Sequence, residues 1–130
     1  MQGVPSRRMK IAFSTLGCPG WSLDQVTAAV REHGYEGVEL RLLDGEIVPP
    51  DLAPSERRRV HEAFKGAGVP IVCLDTSSRF TAPEAEARRA QEESTRRYLE
   101  LANELEAPMI RIFGGNLPGG RLLPSAEFPG

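Results

Sequence analysis

Histidine and cysteine are scarce in this sequence, two of each in 130 residues. Cys18, in a loop-like segment, and Cys73, in an apolar run, give no disulfide framework, so the expectation is a reduced, cytoplasmic chain. His33 and His61 both fall in helix-patterned stretches, and neither sits at a strand exit, which leaves no histidine-based ligand set and no Ser/His/Asp arrangement to read. No apolar run approaches the roughly 20 residues of a bilayer span, and no membrane role is expected. Met1 to Lys10 is polar and basic with no apolar region behind it, so no secretory leader is expected either. A dominant charge sign is missing too: 16 basic against 18 acidic residues give a formal charge of -2, and Arg57-Arg58-Arg59 reads as a solvated helix face, so no nucleic-acid partner is expected. Low-complexity sequence is absent, and Gly114-Gly115 alone is too little for a phosphate-cradling motif.

What the chain does have is punctuation. Eleven prolines and thirteen glycines fall between short apolar runs, as in a domain of many short elements. Strand-length runs lie near 10–14, 37–41, 71–75 and 109–113. Ser22 with Gln25 makes a capping box for a helix whose stripe is Leu23, Val26, Ala29 and Val30, ended by Gly34. Residues 42–54, with Asp44-Gly45 and Pro49-Pro50, read as a loop, and Ser55 is the cap candidate for a second helix carrying Val60, Ala63, Phe64 and Ala67, terminated by Gly66 and Gly68. Thr76-Ser77-Ser78-Arg79-Phe80 reads as a polar exit loop. Thr81 with Glu84 is a capping box for the longest helix, anchored by Tyr98, Leu101, Ala102 and Leu105.

Strands alternating with helices require parallel pairing and right-handed crossovers. Side chains alternate along a strand, so Val38, Leu40, Ile110 and Ile112 are expected to face helices, while Glu39, Arg41 and Arg111 face the other way. A doubly wound sheet packs helices on both faces and has no room for those charges. A barrel interior accepts them near the C-terminal ends of its strands. The fold class is therefore α/β, a partial (β/α)8 TIM barrel with about four parallel strands in order 1-2-3-4 and three helices. Complete barrels need about 250 residues. The expected organisation is a disordered extension over 1–8 and the truncated N-terminal half of a barrel domain over 9–130.

Met9 to Thr15, Gly37-Val38-Glu39-Leu40-Arg41, Leu99 to Pro108 and Met109 to Gly115, in that order and spacing, resemble the N-terminal half of the xylose-isomerase-like sugar phosphate isomerase/epimerase barrels. The resemblance covers about residues 9 to 120. It implies a small carbohydrate substrate and a divalent metal of the Mn, Mg, Co or Zn type in a full-length member, with carboxylates moving a proton next to a carbonyl. In epimerase-like members a Glu, Asp, His and Glu ligand set comes from later strands, so no metal and no catalytic residue is expected of this chain alone. The superfamily's abasic-site endonucleases use several histidines in this half, and this chain has none at any strand exit.

The candidate substrate-binding residues are Glu39, Arg41, Asp75, Arg111, Asn116 and Trp21. Glu39 and Arg111 read equally as a structural ion pair, Asp75 as a turn cap, Trp21 as a packing anchor and Asn116 as turn chemistry. The expected function is isomerase- or epimerase-type, with this half as pocket wall, partnered by a missing C-terminal half or a second copy. The alternatives are a non-catalytic sugar-binding or assembly half, and a small doubly wound ligand-binding domain.

Overall fold

The strands pair in the order they occur in the chain. In the computed structural model, which describes residues 8–115, β1 (Ala12–Ser14), β2 (Gly37–Leu40), β5 (Ile71–Arg79) and β6 (Ile110–Phe113) form one sheet in the order β1-β2-β5-β6. All three pairings are parallel. Helices α1 (Leu23–His33), α2 (Pro54–Ala67) and α3 (Ala85–Glu104) make the crossovers. An edge position for β1 and a sequential order exclude the doubly wound alternative, in which the first strand lies inside the sheet. The candidate Asn116, the tail from Leu117, and residues 1–7 of the expected extension lie outside the described residues.

One face of the sheet is dry. Val38, Leu40, Ile71 and Leu74 join Leu23, Val26 and Val30 of α1, Val60 and Phe64 of α2, and Tyr98, Leu101 and Ala102 of α3 in one cluster. Leu40, Leu74 and Leu101 are fully buried, and each such side chain stabilises the fold by about 1.5–3 kcal/mol. The expected capping box holds: the Ser22 hydroxyl accepts from the backbone of Gln25, and the Gln25 side chain accepts from the backbone of Ser22. Gly34 ends α1 in the left-handed region at φ 72°, where a side chain is strained. Gly37 is needed for space, since a Cβ there would sit 2.5 Å from Val72 of the neighbouring strand.

Several local expectations give way. Residues 42–54 are not all loop: β3 (Leu42–Leu43) and β4 (Glu46–Ile47) form an antiparallel hairpin around Asp44 and Gly45, both at positive φ. The Tyr98 hydroxyl donates to the carbonyl of Val48 just beyond it (3.1 Å), so a buried helix residue gives the hairpin its anchor. β5 runs on through the expected exit loop to Arg79, because the hydroxyls of Thr76 and Ser78 find partners in the Arg111 carbonyl and Thr95. α2 starts at Pro54, whose fixed φ suits the first turn, with Ala53 rather than Ser55 as cap, and Gly66 stays helical while Gly68 terminates. α3 begins after Glu84 with no side-chain cap, so the Thr81 box does not form. Ile112 is 46% exposed rather than covered, since β6 is an edge strand; Ile110 on the same side does pack on the core.

Candidate functional site

The face away from the helices collects the charges. Register sets Glu39 of β2 opposite Cys73 of β5, and Asp75 of β5 opposite Arg111 of β6. Asp75 is fully buried, with one oxygen 3.1 Å from Nη2 of Arg111. That oxygen accepts no hydrogen bond, so the contact is an ion pair by distance and not by direction. Nη1 of Arg111 donates instead to the Thr76 carbonyl (3.2 Å), and the Cys73 thiol lies 3.7 Å from the other Asp75 oxygen. Arg111 thus pairs with Asp75, not with Glu39 as one reading of the sequence had it.

Glu39 meets Asp75 as a second carboxyl, and two such groups resist ionising together. A hydrogen bond shared with Asp75, then burial, hold its carboxyl above the ordinary glutamate range, against the pull of the Ser14 hydroxyl and the Arg111 charge. Burial first, and then the same two carboxyls, push the Cys73 thiol up to about 11. The result is a carboxyl and a thiol on strands β2 and β5 that both favour their neutral forms, beside the Arg111 cation.

Further along the strands the inner face becomes basic. Arg41 directly follows β2 and is 7% exposed. Its backbone N–H donates to the buried Thr15 hydroxyl, as does that of Leu42, both at 2.9 Å. Its guanidinium donates to the Asp75 carbonyl (3.4 Å) and the Ser77 hydroxyl (3.0 Å). The Phe113 ring has the guanidinium carbons of Arg111, Arg79 and Arg41 at 4.1, 4.9 and 6.0 Å from its centre. Trp21 stands beside Phe13, with ring centres 6.4 Å apart, in a cavity of about 280 Å³ that Ser14, Cys18 and Tyr35 also line. The structure therefore brings Glu39, Arg41, Asp75 and Arg111 together on one face. Cys73, Ser77, Arg79 and Phe113 complete the group without having been singled out. Continued alternation through Cys73, Asp75, Ser77 and Arg79 was the signal for three of them.

Donor atoms of Glu39, Cys73 and Asp75 lie within 4.8 Å of one another, close enough to share one ion. A dication there would have to displace a thiol proton that burial holds tightly and a Glu39 proton held above the ordinary range, and compete with the Arg111 cation for Asp75, so the set fits such an ion poorly.

A one-sided parallel sheet in sequential order, with polar groups on its open face, defines part of a (β/α)8 barrel. The Xylose isomerase-like TIM barrel family matches residues 27–127, and the chain belongs to it. A comparison with curated proteins by sequence finds no match. Among solved structures, protein SMc04130 from Sinorhizobium meliloti 1021 is similar over 85% of this chain and 38% of its own, at 19% identity and a TM-score of 0.66. The apo form of 3-keto-D-glucoside 4-epimerase, YcjR, from E. coli matches 91% of this chain and 45% of its own, at 19% identity and a TM-score of 0.63. The probable 3-DHS dehydratase AsbF of petrobactin synthesis from Bacillus anthracis matches 83% and 39%, at 19% identity and a TM-score of 0.59. The chain thus spans less than half the length of these structures, and the likeness is one of fold. Among the described residues no helix is long and apolar enough to cross a membrane.

Proposed function

We propose that this chain forms one wall of a sugar isomerase- or epimerase-type pocket, in which a proton is moved next to a carbonyl. The observation that carries the reading is the approach of two carboxyls, Glu39 and Asp75, to within 4.8 Å beside Arg111, on the face where a barrel holds its ligand. A carboxyl that holds its proton more tightly than an ordinary glutamate is a candidate acid or base, and a neighbouring guanidinium can stabilise negative charge on a carbonyl oxygen. Arg41 belongs to the same wall; Trp21 and Asn116 remain candidate contacts of the carbohydrate. A divalent metal of the complete protein would take its ligands chiefly from later strands of the barrel. The free thiols of Cys18 and Cys73 suit a reducing, cytoplasmic setting.

Among the described residues the edges of β1 and β6 have no strand partner, and Ile11, Met109 and Ile112 are exposed, which suits pairing with further strands of the barrel or with a second copy of the chain. Saturation-transfer NMR with a panel of aldoses and ketoses tests the sugar reading. Bound-sugar signals that fade in Glu39→Gln are the expected result, with no turnover by the chain alone. A panel in which no sugar binds, or binding indifferent to Glu39, counts against it. Light scattering over a concentration series tests the edges, with mass rising above that of the monomer as the expected outcome.

A further inference from the structure

Arg41 is more than nine-tenths buried and, among the described residues, has no carboxylate within ion-pair distance. A guanidinium remains charged at any pH a protein meets, and a buried charge without a counter-charge is costly. The Asp75 carbonyl and the Ser77 hydroxyl satisfy two of its five donors but supply no charge. The carboxylate of Asp75, the residue next to Arg41 in the strand register, already faces Arg111. Arg79 is in the same position: it is exposed at the end of β5, no carboxylate pairs with it among the described residues, and its guanidinium lies over the Phe113 ring. Two cations from neighbouring strands are therefore gathered about one aromatic ring at the strand exits, and neither is neutralised there.

We infer that Arg41 and Arg79, set around Phe113 beside Ser77, form a subsite for an oxyanion, the phosphate or carboxylate of an anionic ligand. Guanidinium forks match the paired oxygens of both groups, and the ring keeps water from one side of the contact. This rests on reading the open face as the ligand site, and narrows its ligand from sugars at large to those that carry a negative charge. The charged group lies toward the strand exits, and the rest of the ligand extends toward Glu39 and Asp75, one step further down the same strands.

Calorimetric titration of the 130-residue chain at low ionic strength with inorganic phosphate, D-glucose 6-phosphate, D-gluconate and D-glucose tests this. The anions should bind at least about tenfold more tightly than D-glucose, and Arg79→Gln should weaken each by about tenfold, the scale of a lost charge-assisted bond. Arg58→Gln, an exposed change on α2, should leave binding as it was. Arg41→Lys should bind more tightly than Arg41→Gln. If the buried position does not tolerate glutamine, exposed Arg79 still decides the matter. Preference for the phosphate ester over gluconate identifies a phosphorylated ligand, and the reverse a sugar acid. D-glucose binding as well as the anions, with Arg79→Gln without effect, overturns the inference and leaves the sugar reading standing. Phosphate binding with no gain from any sugar keeps the subsite and removes the sugar. No anion binding at all overturns the inference outright.

Discussion

The open face of the sheet has two levels, and they settle their charges differently. At the lower level Glu39, Cys73, Asp75 and Arg111 answer one another: one cation faces one buried carboxylate, and the second carboxyl is held toward its neutral form. At the upper level Arg41 and Arg79 share an aromatic ring, Arg41 adds hydrogen bonds to two uncharged acceptors, and among the described residues no carboxylate pairs with either guanidinium. The lower level balances its charges within the chain, so its groups contribute to folding as well as to the proposed proton transfer. The upper level keeps its charge unbalanced among the described residues, and on the oxyanion proposal its groups contribute to binding more than to folding.

Asp75→Ala is the sharpest way to break the lower level. It strands Arg111 and removes a buried charge partner, so urea unfolding should show a loss of about 3 kcal/mol. Thr15→Val asks whether the upper level is held by its backbone rather than by its charge. It leaves the N–H groups of Arg41 and Leu42 without their acceptor, and the same measurement should show about 2 kcal/mol lost.

Glu39→Gln should act on the pH profile more than on stability at neutrality. Because the folded carboxyl lies above its unfolded value, its contribution is full below the ordinary glutamate pKa and is lost as pH rises through the folded one. Glutamine should therefore flatten that part of the profile, measured by denaturant midpoints from about pH 4 to neutrality, and be no less stable than the parent at neutral pH. A profile as steep as the parent's would mean that the proton is not held at this carboxyl. Arg79→Gln should change stability least, within about 0.5 kcal/mol by the same unfolding measurement. A loss as large as that of Asp75→Ala would erase the distinction between the two levels.

The strand order, the one-sided helix layer and the inward set Glu39, Arg41 and Arg111 were legible because period-2 and period-3.6 patterns record burial directly. The charge pairing was not. Whether Arg111 meets Glu39 or Asp75 depends on the register between strands brought together over 30 residues or more, and no local pattern carries it. Hydroxyl-rich Thr76 to Ser78 looked like a loop because its partners, the Arg111 carbonyl and Thr95, lie on other elements. The hairpin of β3 and β4 was masked by Pro49-Pro50, although Asp44-Gly45 is a strong turn pair. Phe113 was counted among the residues of a strand and not as a platform, since its guanidinium neighbours come from three separate strands or strand ends.

Between Asp75 opposite Arg111 and Arg79 opposite Phe113, β5 advances four residues while β6 advances two. The surplus is even, and with a side-chain period of two an even surplus returns Arg79 to the face it would have occupied without the bulge. Length in this segment therefore acts as a parity code. Removing one residue from 76–78 would swing Arg79 to the helix side and bring a buried cation into the dry layer, whereas removing two would shorten the strand and keep the guanidinium over the open face. Natural variation in this segment is accordingly expected in steps of two, however freely its side chains change.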